Sequence, residues 1–265
     1  VNRAVPAGLA VLLCAALAAC HADPPAPVPL EERVAALTDA ERALLPAGQP
    51  TTARFGLDDP VSLTPESAGA AADAVRRLVL RPKAEAGGEV RFVESPRGRA
   101  ARFPARCPGD GPACPRAILE ADDASQLNPD ARPVRYGARL RMAPTDVADG
   151  ANVLQKGFST GPGAQYKVQV DGAQGRPSCV VAVDGKIHKL ESPVAVVDAN
   201  WHTVACTAAD GHLLINVDGL VTEKTVPRDL LLRSDQPLRV GGKHAAAGND
   251  QFAGEIDEVF VSIYG

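Results

Sequence analysis

Leu213-Leu214-Ile215-Asn216-Val217-Asp218-Gly219-Leu220-Val221-Thr222-Glu223-Lys224-Thr225 is the stretch that decides the fold. Leu213, Ile215 and Val217 alternate with Leu214, Asn216 and Asp218, the period of two that lays one face of a strand against a core. Asp218-Gly219 supplies the positive φ angles of a tight turn, so the whole segment reads as a β-hairpin. The alternation recurs upstream. Tyr136, Ala138, Leu140 and Met142 alternate with Arg135, Gly137, Arg139 and Arg141. Tyr166, Val168 and Val170 do the same with Lys167, Gln169 and Asp171. Asp-Gly occurs six times, at Asp110, Asp149, Asp171, Asp184, Asp210 and Asp218, and each pair can reverse a strand. No long amphipathic helix separates the strands, which argues against parallel βαβ units. The expected fold is all-β, an antiparallel β-sandwich.

The composition agrees. Hydrophobic residues make up 45% of the chain, enough for a sizeable core. Aromatics are only 4%, with one tryptophan, so Val, Leu, Ile and Ala must fill that core. A net charge of −4 provides no broad basic field and argues against a nucleic-acid partner.

The N-terminus carries an address. Arg3 provides a short positive region and Ala7 to Ala19 is almost wholly apolar. That run is too short for a bilayer needing ~20 residues and reads as a signal-peptide core. It ends in Leu17-Ala18-Ala19-Cys20, which resembles the lipobox of bacterial lipoproteins, in which the cysteine is lipidated and becomes the first mature residue. Ordinary cleavage after the small residues, with Cys20 incidental, is the alternative. No later segment reaches 18 uninterrupted apolar residues, so the lipid would be the sole membrane anchor and would hold the protein on the outer face of the cell membrane.

Asp23 to Pro29 is a Pro/Ala tract suited to a semi-rigid tether. Leu30, Val34 and Leu37 share a helical face, and Thr38 with Glu41 fits a capping box. From Ala47 to Val75 no periodicity is visible. The expected organisation is therefore a signal peptide with lipobox over 1–20, a partly helical stalk over 21–75 and a sandwich domain over 76–265.

With Cys14 in the signal peptide and Cys20 as anchor, four cysteines remain: Cys107, Cys114, Cys179 and Cys206. An even number in an exported chain favours disulfides. Cys107 and Cys114 flank the turn-rich Pro108-Gly109-Asp110-Gly111-Pro112-Ala113. Cys179 and Cys206 lie in β-like stretches and suit neighbouring strands. A zinc site lacks its second Cys-x-x-Cys pair and a His-x₃₋₅-His partner.

Three stretches together resemble the laminin G-like, concanavalin A-like family as found in exported actinobacterial proteins. They are Asn152–Gly157 with Gln165–Val170, Arg176–Val180 with Trp201–Cys206, and Pro237–Gly242 with Phe252–Val259. The resemblance implies a jelly-roll of two curved antiparallel sheets, a Cys179–Cys206 disulfide, Trp201 as a core residue, and adhesive function toward glycans or proteins, often with calcium. Asp257 matches the aspartate that holds Ca²⁺ in related sandwiches. Because calcium needs six to eight oxygens, Asp257 equally reads as a backbone hydrogen-bonding residue at a sheet edge.

Two enzymatic motifs are incomplete. Glu255-Ile256-Asp257-Glu258-Val259-Phe260 resembles the strand motif of laminarinase-type hydrolases, but Val259 or Phe260 stands at the acid/base position. Retaining hydrolysis needs two carboxyls about 5–5.5 Å apart. Gly157-Phe158-Ser159-Thr160-Gly161 matches a nucleophile elbow in letters, yet a strand, not the required helix, follows Pro162-Gly163. The five histidines show no metal-ligand spacing, and His202 and His212 are expected to face solvent. The reading is a non-catalytic, surface-tethered binding or adhesion module for an extracellular glycan or protein. A glycan-cleaving hydrolase and a structural envelope protein are the alternatives.

Overall fold

The computed structural model describes residues 36–60, 63–70, 72–121, 124–148 and 150–265. The signal peptide, Cys20 and the Pro/Ala tract lie outside these residues. The chain runs through α1 (Asp39–Leu44), β1 (Thr51–Phe55), β2 (Glu66–Ala68), α2 (Ala72–Val75), β3 (Leu80–Glu85), β4 (Arg91–Ser95), β5 (Gly98–Phe103) and β6 (Arg116–Ala121). There follow β7 (Val134–Arg141), β8 (Ala151–Lys156), β9 (Ala164–Asp171), β10 (Arg176–Val183) and β11 (Lys186–Glu191). The last elements are β12 (Trp201–Ala209), β13 (His212–Val217), β14 (Leu220–Thr225), β15 (Leu238–Val240) and β16 (Gly254–Ile263).

The strands form two antiparallel sheets. Sheet A has the order β14-β13-β12-β7-β16-β1-β2, with β5 also pairing with β16, and β4 with β5. Sheet B runs β11-β10-β9-β8-β15-β6-β3. Between them lie the residues that the period-two pattern selects: Tyr136, Leu140, Val204, Ile215, Ile256 and Val261 from sheet A, and Leu119, Leu154, Val168, Val170, Val181 and Val240 from sheet B. Each fully buried aliphatic side chain contributes about 1.5–3 kcal/mol, and this core carries the fold. Tyr136 and Tyr166 meet inside it, ring centroids 4.9 Å apart. Their hydroxyls donate to the carbonyls of Val180 (3.2 Å) and Leu127 (3.0 Å), so neither is left unpaired in the core.

Three of the six Asp-Gly pairs make tight hairpins with both residues at positive φ. Asp184-Gly185 joins β10 to β11, Asp210-Gly211 joins β12 to β13, and Asp218-Gly219 joins β13 to β14. Both expected disulfides are present, Cys107–Cys114 and Cys179–Cys206. The second does not join neighbouring strands within a sheet. It runs from β10 of sheet B to β12 of sheet A and staples the layers through the core.

The boundary at residue 76 is corrected. β1 is an interior strand of sheet A, paired with β16 on one side and β2 on the other. Ala53 and Phe55 are buried in the core. The 47–75 segment is therefore no linker, and the 21–75 stalk reading fails for the described residues 36–75. The cause is the outer face of β1, where Thr52 and Arg54 are also buried. Thr52 shares a hydrogen bond with Ser262 (2.8 Å), and Arg54 pairs with Glu66 (3.3 Å) and Glu258. A short strand buried on both faces, with an arginine in its middle, has no readable alternation.

Candidate functional site

The odd-numbered residues of β7, Arg135, Gly137, Arg139 and Arg141, face away from the core and divide the outer face of sheet A into two halves. Over the first half lies α1. Its capping box forms as expected: Glu41 N–H donates to Thr38 Oγ1 (3.3 Å), and Thr38 N–H donates to Glu41 Oε2 (2.9 Å). The same Glu41 carboxylate also reaches the sheet. It accepts from Arg135 Nε (2.7 Å), Thr207 Oγ1 (3.0 Å) and Asn216 Nδ2 (2.9 Å). Glu41 and Arg135 are both fully buried. Burial alone would raise the Glu41 pKa, but Arg135 and these hydrogen bonds overcome it and hold the group below its ordinary value.

Gly137 marks the divide. A Cβ there would lie 2.2 Å from the Val204 carbonyl oxygen and 3.0 Å from the Phe260 ring, so only glycine fits between these strands.

The second half is open. Here β16 runs between β5 and β7, so that Glu255 pairs with Arg102 on one side and Arg141 on the other, while Asp257 pairs with Arg139. A β-bulge follows Asp257, with Glu258 at φ +53°, and shifts the parity of the strand. Glu255 and Asp257 therefore share the outer face with Phe260 and Ser262, while Val259 and Val261 turn into the core. Glu255 Oε1 accepts from Arg141 Nη2 (2.7 Å) and from Arg102 Nε (3.0 Å) and Nη2. The carboxylate is 3% exposed, but the side chains of Arg102 and Arg141 are 51% and 38% exposed. Trp201 lies beside them, its ring centroid 4.9 Å from the Arg139 guanidinium carbon and 5.6 Å from that of Arg141.

Next to this group opens a cleft of about 600 Å³, lined by three arginines and three carboxylates, Arg91, Arg102, Arg141, Glu89, Asp146 and Glu255, and walled by the β3–β4 turn, Pro104 and Pro115. Gly88 lets that turn close on β6, since a Cβ would meet the Arg116 backbone at 2.1 Å. A second hollow of about 240 Å³ shares Ala105 and Pro115 with the cleft and continues it past Arg106 and the Cys107–Cys114 loop.

Asp257 does not suit calcium. Its Oδ1 accepts the Glu258 N–H (2.7 Å), and its Oδ2 faces Ser95 Oγ (3.3 Å) and Arg139 Nη1 (3.6 Å). Donors and a guanidinium occupy the surroundings where a cation would need oxygens. Burial and the neighbouring Glu258 carboxylate push its pKa up to about 7. Among the described residues no group of three or more His, Cys, Asp or Glu side chains is placed to hold a metal ion.

Trp201 is corrected as well. It sits half-buried on the outer face rather than in the core, because β12 turns Val204 and Cys206 inward and its odd-numbered positions outward. His202 lies between Asp218 (2.6 Å) and Asp198 (2.9 Å). Burial would lower its pKa, but the two aspartates raise it above the ordinary histidine value. Gly157–Gly161 leads into β9 without a helix, and Phe158 lies against Arg239.

Reading by alternation passed over Arg102 and Arg141 as binding residues. A local signal was available. Residues 95–109 contain Arg97, Arg99, Arg102 and Arg106 and no acidic residue, in a chain whose net charge is −4.

A family model of the concanavalin A-like lectin/glucanases superfamily matches residues 134–264. Those residues form a laminin G-like domain. No curated protein matches the chain by sequence. Among solved structures, domain 4 of AbnA, a GH43 extracellular arabinanase from Geobacillus stearothermophilus, in complex with arabinotriose, is similar over 82% of this chain and 93% of its own, with 12% identity and a TM-score of 0.57. The binding domain of botulinum neurotoxin DC, in complex with SialylT, is similar over 80% of this chain and 46% of its own, with 9% identity and a TM-score of 0.51. These likenesses are of fold. Their span exceeds the 131 residues of 134–264, so the shared sandwich fold includes strands that precede β7.

Proposed function

We propose that this laminin G-like protein is a non-catalytic binding module, held on the outer face of the cell membrane through lipidated Cys20, that recognises an extracellular glycan or protein in the cleft beside Glu255. The observation that carries the reading is the commitment of Glu255 to two arginines at the floor of an open cleft. Polar groups held rigidly in a concave site of this size are the usual makings of recognition.

The same commitment argues against hydrolysis. A glycosidase needs one carboxyl free to donate a proton and a second placed to attack or activate water. Glu255 is held as an ion-pair acceptor, and Asp257 is fully buried against Ser95 and Arg139.

The architecture also favours display. α1 covers the end of sheet A where β7 starts and β16 finishes, whereas the cleft lies where β7 finishes and β16 starts. The eight residues of β7 separate these ends by roughly 25 Å. A tether arriving at residue 36 thus meets the domain at the end away from the cleft, which is turned outward.

The test is a glycan array probed with the purified protein, beside an Arg102→Ala/Arg141→Ala variant, in calcium and in EDTA. Binding that the double variant loses and EDTA leaves unchanged is the expected result. Release of reducing ends from any bound glycan would overturn the non-catalytic reading.

A further inference from the structure

We infer that the Cys107–Cys114 disulfide is a thiol-exchange site, opened by a small thiol that forms a mixed disulfide on Cys107, while Cys179–Cys206 stays closed. This chemistry goes beyond the binding reading and does not depend on what the cleft holds. The two bridges differ in access. Cys179 and Cys206 are fully buried between the sheets, and a thiolate reaches them only when the sandwich opens. Cys107 and Cys114 lie outside both sheets, in the loop that joins β5 to β6. Both line the hollow of about 240 Å³ that continues the cleft. Cys107 is half-buried and Cys114 is 5% exposed, so the approach from solvent leads to Cys107. Exposed disulfides are the labile ones, and a bridge between residues only seven apart contributes least to stability.

The loop is held by bonds that opening does not touch. Arg116, fully buried at the start of β6, donates from Nη1 to the Cys114 carbonyl (3.0 Å) and from Nη2 to the Gly111 carbonyl (2.7 Å). The Cys114 N–H donates to the same Gly111 carbonyl (3.0 Å). None of these bonds uses a sulfur atom, so reduction leaves Cys114 in place and ready to close the ring again. Charge assists. Arg106 and Arg116 flank the bridge in sequence, with Asp110 the one acidic residue between them. Both arginines line the hollow, against the single carboxylate of Asp250, which Lys243 already engages at 3.2 Å. Positive charge favours thiolates, both the one that arrives and the one that leaves.

The exchange balances in two steps. The incoming thiolate bonds to Cys107 Sγ as the Sγ–Sγ bond breaks, and the electron pair leaves on Cys114 Sγ. Cys114 Sγ then attacks the Cys107 sulfur and expels the thiol, which restores the bridge, or it takes a proton from solvent. In the second case another thiol molecule attacks the sulfur of the bound one, and Cys107 leaves as a thiolate and is protonated. Both cysteines are then thiols, and two thiol molecules have become one disulfide.

The experiment is incubation of the purified protein with graded glutathione, without denaturant, followed by trapping of free thiols with N-ethylmaleimide and peptide mass mapping. The expected result is opening of Cys107–Cys114 at least about a hundredfold faster than Cys179–Cys206, with the glutathione adduct on Cys107. In Cys114→Ser, oxidised glutathione is expected to cap Cys107 and the cap to persist, because the sulfur that would expel it is gone. In Cys107→Ser, capping of the buried Cys114 is expected to be about tenfold slower or more. Thermal unfolding of each variant checks that it is folded, and the mapping of the unsubstituted protein stands without them. Opening of both bridges at similar rates, or of neither until denaturant is added, would overturn the inference. An adduct carried mainly by Cys114 would refute the choice of attacked sulfur. A parallel incubation with thioredoxin separates the sources of thiol: opening by thioredoxin alone would replace the small thiol with a protein dithiol.

Discussion

Arg135 and Arg141 sit six residues apart on one strand, point to the same side of sheet A, and have opposite fates. Arg135 is buried under α1 and meets a carboxylate that is itself buried and saturated with donors. Arg141 meets a carboxylate that is also buried, but that carboxylate is shared with Arg102 and, among the described residues, no helix covers the pair. One half of the sheet face is closed for stability and the other is left open with unspent hydrogen-bonding capacity. Burying an ion pair is costly unless every lone pair and proton finds a partner, so the same residue types become structural or available according to what lies above them.

The strongest way to break the closed half is Glu41→Ala. It strands Arg135 in the interior and is expected to remove about 3–5 kcal/mol of stability in a urea unfolding titration. A result below 1 kcal/mol would mean that α1 does not weld the N-terminal segment to the sandwich. Removing the inter-sheet disulfide with Cys179→Ala/Cys206→Ala is expected to cost roughly 3–4 kcal/mol, and the short Cys107–Cys114 loop less, because loop closure scales with the residues enclosed.

The two halves should also respond to pH in opposite senses. Glu41 has a native pKa below its unfolded value, so its contribution is complete above about pH 4.5 and is lost as pH falls through the native pKa. Asp257 has a native pKa raised to about 7 from an ordinary 3.8, so between those values the folded state holds a proton that the unfolded state does not. The Asp257 contribution to stability therefore falls as pH rises from about 4 to about 7. Asp257→Asn is expected to flatten the decline between pH 5 and pH 8, by about 1–3 kcal/mol at the upper end. An unchanged pH profile would show that Arg139 neutralises Asp257 fully. The smallest stability effect belongs to Arg102→Ala, expected below about 1 kcal/mol because the side chain is half-exposed, although binding should suffer. A large loss of stability would instead make the open half a structural network like the closed one.

Legibility in the sequence followed the range of each interaction. The strands at 136–142, 166–171 and 213–225 were visible because their inward residues alternate with polar ones. The hairpins at Asp184, Asp210 and Asp218 were visible because a tight turn is a two-residue event. The Thr38–Glu41 capping box was legible for the same reason, but the second role of Glu41 was not, since Arg135 is 94 residues away. β1 escaped because its outward Arg54 is buried by Glu66 and Glu258, partners that nothing near residue 54 announces. The family resemblance implies Trp201 in the core, and the register of β12 puts it on the other side.

The sequence by itself determined the class of fold, the cysteines that pair and the period that separates core from surface, because these depend on residues close along the chain or on resemblance across it. Only the tertiary structure decided that β1 belongs inside the sheet, that β16 threads its acidic residues between two arginine-bearing strands, and that one arginine of β7 is capped while another faces an open cleft. The physical reason is that an ion pair across a sheet depends on register, layering and cover, and a single bulge at Glu258 is enough to change which side of the strand its residues face.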